Sequence, residues 1–187
     1  MEGSLAGKLL IAMPSMGDSR FDHAVILMCL HNAEQAMGLI VNKPSPDLKL
    51  ADVLNHLKIK VERNALAGRM VLSGGPMNRE RGYVLHSKDF SVPDATQVVT
   101  PEIGLTATRE VLEAMGGASP PAHFVLALGY AGWGPGQLED ELAQNAWLVA
   151  DPDEAIVFDA EFDDKWARAI GQLGIQPLQI MGEAGRA

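Results

Sequence analysis

The stretch Leu128-Gly129-Tyr130-Ala131-Gly132-Trp133-Gly134-Pro135-Gly136-Gln137-Leu138-Glu139 restricts the fold of this chain more than any other. It joins an apolar run, Phe124 to Leu128, to a helix-like run, Leu138 to Ala146. Four glycines within eight residues permit positive φ and let other segments approach closely. Tyr130 and Trp133 between them each carry a large apolar body and a polar tip that needs a partner. The pattern predicts a strand, a tight glycine loop and a capped helix, with Pro135 at a first helical position where a missing N–H costs nothing. Such a junction either receives a ligand or closes the core. Glu139, Asp140 and Glu141 crowd the first turn of that helix and would repel a phosphate there. The glycines are therefore read as admitting close packing, with Trp133 as a plug or one wall of a pocket.

Short apolar runs punctuated by turn residues fill the rest of the chain. Lys8 to Met13 reads as a strand stopped by Pro14, and Ala24 to His31 as a second strand buried on both faces. Only Asn32 to Ala36 separates it from Met37 to Asn42, so these two form an antiparallel hairpin. Pro44 and Pro46 end the third strand. Asp47 then caps a helix from about Leu50 to Leu57, with Leu50, Val53, Leu54 and Leu57 on one face. Met70 to Leu72 and Tyr83 to His86 are strands joined by Ser73 to Pro76 and a charged turn, Asn78 to Arg81. Gln97 to Val99 is a weaker strand, and Thr106 to Met115 a helix stopped by Gly116-Gly117. Ala155 to Phe158 reads as a strand. Asp163 or Asp164 opens a last helix carrying Phe162, Trp166, Ile170 and Leu173, and Leu178 to Met181 adds an edge strand before a frayed tail. Hairpins come first and helices follow without a β-α-β rhythm. The expected fold class is α+β, one domain over residues 1–187, with a mostly antiparallel sheet curled toward a partial barrel and flanked by helices.

Composition narrows the function. With 187 residues and 47% hydrophobic content, the chain can bury a full core. Fifteen basic against twenty-four acidic side chains give 15 − 24 = −9, which opposes a general affinity for phosphate backbones. A single cysteine excludes an intrachain disulfide and fits a reducing compartment. Without a basic n-region or an apolar run longer than the seven residues Ala24 to Leu30, neither a secretory signal nor a membrane helix is expected. Cytoplasmic is the expected location.

Several segments together resemble the bacterial AlgH/YqgE family. They are Lys8 to Pro14, Phe21 with Val25-Ile26, Cys29-Leu30-His31, Ala36 to Pro44, Gly74-Gly75-Pro76, Arg81 to Ser87, and above all Leu128 to Glu139 with Asn145 and Trp147. The resemblance runs from about residue 8 to residue 181. It departs at Arg186, where such proteins often carry a histidine. It implies a mixed α/β domain with a partial barrel; the family's name comes from a proposed part in transcriptional control of exopolysaccharide synthesis, a role attached to a relative and not carried over residue by residue. It implies no reaction.

The chemistry on offer divides into a few clusters. Cys29 and His31, two apart on a strand, should share a face. A histidine there can activate a thiol as a nucleophile, but the apolar neighbours Leu27, Met28 and Leu30 favour a packed, unreactive cysteine. Ser73-Gly74-Gly75-Pro76 with Arg79 and Arg81 can form an anion-binding nest, or merely a turn. The five histidines show no zinc-like spacing, and neither a Gly-x-Ser-x-Gly elbow nor a dinucleotide fingerprint is present, so no metal or cofactor is expected. Asn42-Lys43 and His86-Ser87 lie at strand ends that line a cleft if they converge with Tyr130 and Trp133.

These observations favour a non-enzymatic accessory or regulatory protein that binds a small molecule or a protein partner. The ligand-binding candidates are Lys43, Gly74, Gly75, Arg81, His86, Tyr130, Trp133 and Gln137. One alternative is a small hydrolase or transferase using Cys29 and His31, with backbone N–H groups near Gly75 as oxyanion donors. The other is a direct transcriptional regulator, which the net charge and the absence of a basic stripe disfavour.

Overall fold

A computed structural model describes residues 3–62, 66 and 68–181. Strands β1 (Leu9–Ala12), β2 (Val25–His31) and β3 (Ala36–Ile40) are antiparallel neighbours, as the short connection between the second and third requires. The chain continues through β4 (Pro44–Lys49), helix α1 (Leu50–His56), β5 (Met70–Ser73), β6 (Met77–Ser87), β7 (Thr96–Val98) and β8 (Ile103–Thr106). Helix α2 (Arg109–Gly116) precedes β9 (Phe124–Trp133), α3 (Gln137–Ala143) and β10 (Trp147–Ala150). Helices α4 (Glu154–Phe158), α5 (Lys165–Gly171) and α6 (Pro177–Met181) follow. The sheet order is β10-β1-β2-β3-β9-β6-β8-β7, with β4 on β5 and β5 parallel to β9.

Alternation along the strands sorts side chains into three layers. Leu9, Ile11, Val25, Leu27, Leu85 and Ala127 face the concave side, which Ile156, Val157, Trp166 and Ile170 of α4 and α5 close. Leu10, Ile26, Met28, Trp133 and Trp147 form one outer layer with Leu138 of α3. Val84, Phe124 and Leu126 form the other, beneath Leu54 of α1 and Val111 and Met115 of α2. A sheet covered on both faces needs strands apolar at nearly every position, which β1 and β2 are. The result is a single α+β domain with a mostly antiparallel sheet curled into a half-barrel and flanked by helices. Lys165 ties its closed end together by donating from Nζ to Val41 O at 3.0 Å and Val157 O at 3.2 Å. Burial pushes that ammonium pKa down to about 8. Among the described residues no helix is long and apolar enough to cross a membrane.

Several local expectations give way to tertiary context. Residues 155–158 are helical because Asp153 caps α4, accepting from Ala155 N at 2.8 Å and Ile156 N at 3.4 Å. Residues 178–181 form a helix with Pro177 at its first position. Pro44 and Pro46 do not end the strand region. They start β4, whose other edge has no partner strand among the described residues and can tolerate missing N–H groups. Thr106 ends a strand, and α2 begins three residues later behind Thr108. Asp52 rather than Asp47 serves the start of α1, accepting from Lys49 N at 3.3 Å. Asn78 to Arg81 belong to β6 as an irregular stretch opposite β9. Trp147 to Ala150 form a strand where none was expected. Arg186 and the rest of the tail from 182 lie outside the described residues.

Candidate functional site

The glycine stretch is not a loop between strand and helix. β9 runs through it to Trp133, changing partners on the way. Along one edge β5 pairs with Ala127 and Leu128 and β3 with Ala131 to Trp133, while β6 follows the other edge from Phe124 to Leu128 and, through Met77, at Tyr130. Gly129, at φ 75°, is where the change happens, and it reverses the side-chain alternation, so that Tyr130 faces the interior and Trp133 the outer layer. The turn between β5 and β6 crosses the same point backbone on backbone. A Cβ on Gly75 would lie 2.1 Å from the Tyr130 carbonyl carbon, and one on Gly74 2.4 Å from Gly129 O. This crossing needs glycine on sterics alone. Gly74 also donates to Leu128 O at 2.8 Å and accepts from Ile40 N at 2.9 Å, which locks the floor of the site.

Above that floor stands an aromatic wall. Trp133 and Trp147 meet edge to face at 5.9 Å, and Phe21 meets Trp147 edge to face at 5.7 Å. Both indole N–H groups donate to one oxygen of Glu141, Trp133 at 2.9 Å and Trp147 at 2.7 Å. Gln137 donates to the other at 3.0 Å, while its own carbonyl accepts from Gly134 N at 3.1 Å. Three N–H donors on this half-buried carboxylate hold α3 against the sheet. Beside it lies a concavity of about 360 Å³ lined by Met16, Phe21, Trp133, Gln137, Glu141 and Trp147. Trp133 itself is only 5% exposed, yet it lines this hollow and a second of about 460 Å³ on its other side, with Met77, Arg81, Tyr83 and Tyr130. It is a plug and a wall at once.

A third concavity, about 270 Å³, opens next to the first and is lined by Arg20, Lys43, Ser73, Gly75, Pro76 and Arg79. Arg20 and Pro76 line both. A separate apolar groove of about 730 Å³ between α1 and α2 shares Arg81 with the second hollow.

The expected site residues divide accordingly. Lys43, Gly75, Arg81, Tyr130, Trp133 and Gln137 all line hollows that meet around Pro76, Met77 and Trp133. Gly74 lies beneath them in the crossing. His86 is elsewhere: fully buried, it donates from Nδ1 to Ser87 O at 3.0 Å and accepts at Nε2 from the Thr106 hydroxyl at 2.8 Å, edge-on to Phe90. Cys29 and His31 do not share a face, because a bulge at Cys29 shifts the β2–β3 register between Met28 and Leu30. Cys29 joins the interior core, where burial pushes its thiol up to about 12. His31 lies on the outer side, accepting from Leu5 N at 2.9 Å and donating to Glu139 at 2.8 Å. Glu139 is held below the ordinary carboxylate range by its own backbone N–H and then by His31. Sequence reasoning missed Glu141, Phe21, Met77 and Arg20. Only the four-residue spacing of Gln137 and Glu141 on one helix face offered a signal.

A model of the family described as AlgH-like matches residues 9–178. A UPF0301 protein of Caulobacter vibrioides is 49% identical over 184 residues, covering 98% of this chain and 94% of the relative. One of Bradyrhizobium diazoefficiens is 46% identical over 192 residues, covering 99% and 89%. The solution structure of the AlgH protein from Pseudomonas aeruginosa has a TM-score of 0.79 at 36% identity, covering 100% of this chain and 98% of that one. A crystal structure of protein DIP2367 from Corynebacterium diphtheriae shares the fold, with a TM-score of 0.72 at 21% identity over 96% and 91% of the two chains. Likeness over nearly the full length on both sides leaves no part of the domain unmatched, and the chain belongs to the AlgH-like family.

Proposed function

We propose that this protein is a cytoplasmic accessory protein that binds a small molecule or a partner's side chains at the cleft around Met77 and Trp133, without breaking bonds in what it binds. The supporting observation is that the Trp133 indole, pinned by Glu141, forms a common wall to two hollows. Rigid aromatic surface ringed by a few fixed polar groups is what ligand recognition needs. The test uses the wall itself. A bound metabolite should shift tryptophan emission and raise the unfolding temperature, and native mass spectrometry should show the adduct. A protein whose emission and stability ignore metabolite libraries and cell extract alike would end this reading.

The hydrolase or transferase reading requires a thiolate beside a base. At a thiol pKa of about 12, and with His31 on the opposite face, Cys29 has neither. Any regulatory effect on transcription then runs through a partner, because a chain of net charge −9 has little to offer a DNA backbone.

A further inference from the structure

We infer that the concavity of Arg20, Lys43 and Arg79 is the anion subsite of this cleft, taking the phosphate of a phosphomonoester whose flat ring lies in the hollow beside Trp133. The inference rests on the proposed binding role of that hollow and names the chemistry of its ligand.

Charge is the first reason. The chain carries −9, yet the lining of this hollow holds three cations and no carboxylate. Lys43 and Arg79 take part in no ion pair among the described residues. Asp18 approaches only Arg20, accepting from Nε at 3.0 Å and Nη2 at 2.6 Å. With one of three cations so balanced, the hollow suits a dianion better than a polyphosphate.

Preorganisation is the second. The Asp18 pair fixes the Arg20 guanidinium and leaves Nη1 for a ligand. Lys43 donates from Nζ to Arg20 O at 3.1 Å, so this ammonium is held while two of its N–H bonds remain available. The glycine crossing under Gly75 keeps the floor from moving. Cations already placed lose less freedom when an anion arrives.

Continuity is the third. Arg20 and Pro76 border both hollows, so one ligand can reach from the cations to the aromatic wall. The polar groups reverse sign along that path. Asp18 and Glu141 line the aromatic hollow, together with Gln137 and Gln144. Acceptors at that end favour a ring bearing N–H donors and repel a second phosphate. A nucleoside monophosphate has this polarity.

The probes are GMP, AMP, guanosine and inorganic phosphate, titrated against the full chain by tryptophan emission and calorimetry, with chloride as the control anion. A monophosphate should bind at least tenfold more tightly than guanosine, and inorganic phosphate should compete with it. Lys43→Gln and Arg79→Gln should each weaken the monophosphate about tenfold and reduce its salt dependence, with unfolding temperature unchanged. Monophosphates that bind no better than guanosine, or that ignore both substitutions, overturn the subsite. If a phosphate-free compound still shifts the emission, the cleft reading survives that failure. A monophosphate that binds through Lys43 and Arg79 without perturbing tryptophan emission overturns the ring placement while keeping the anion site. Weak, salt-sensitive uptake equal for phosphate and sulfate, unaltered by either substitution, marks an adventitious ion only and sinks the inference.

Discussion

Gly75 and Gly134 each line a hollow of the cleft, yet the chain needs glycine at only one of them. A Cβ at 75 would strike the Tyr130–Ala131 peptide at 2.1 to 2.3 Å, whereas one at 134 would meet nothing within 4 Å. Gly129 sides with Gly75, since it combines φ 75° with a Cβ position 2.5 Å from Gly75 O. The two backbones at the crossing have no flexible side chain that can yield. The turn leading to α3 opens to solvent. Glycine density in a sequence therefore mixes two unrelated demands, close approach and simple turn-making.

Substitutions separate the two. Gly75→Ala should be the most damaging, at about 3–5 kcal/mol or outright failure to fold, since backbone must move on both sides. Urea denaturation measures it, and a loss under about 1 kcal/mol would mean the crossing is pliant. Gly129→Ala should follow at about 2–4 kcal/mol, from left-handed strain plus the close carbonyl. Glu141→Ala, at the wall between the two glycine regions, should cost about 1–3 kcal/mol by leaving two indole N–H groups unpaired. Its emission spectrum should report freed indoles, while Glu141→Gln keeps an acceptor and should lie nearer the parent. Gly134→Ala should stay within about 0.5 kcal/mol. A larger loss at 134 than at 129 would reverse the whole contrast.

The buried cation at the other end offers a further check on where structure, rather than composition, sets behaviour. Lys165 has its pKa lowered to about 8 in the fold against about 10.4 in an open chain. Both states are charged below pH 8 and both neutral above the open-chain value, so its destabilising effect is complete at low pH and fades as pH rises from about 8 to 10. Comparing the pH dependence of stability in the parent and in Lys165→Met should show this rising contribution in the parent alone.

Much of the scaffold was legible in the letters. Apolar runs at Leu9–Ala12 and Val25–His31 read as strands covered on both faces, and four intervening residues leave β2 and β3 too little chain for anything but a hairpin. Chain-long motif likeness carried the family, and the −9 charge argued against direct DNA binding. These are local or summed properties, which a one-dimensional pattern records. Other features depend on which distant segments touch. That β9 would exchange β5 for β3 along one edge at Gly129, that a bulge would turn Cys29 away from His31, and that Trp133 and Trp147 would share one carboxylate all follow from such contacts. The same is true of His86, drawn into a buried bond with Thr106, and of Arg20 meeting Arg79 across a hollow. Periodicity specifies the face a side chain prefers but not its partner, and a single bulge reverses even the face, so convergence was decided only when the sheet curled and its layers packed.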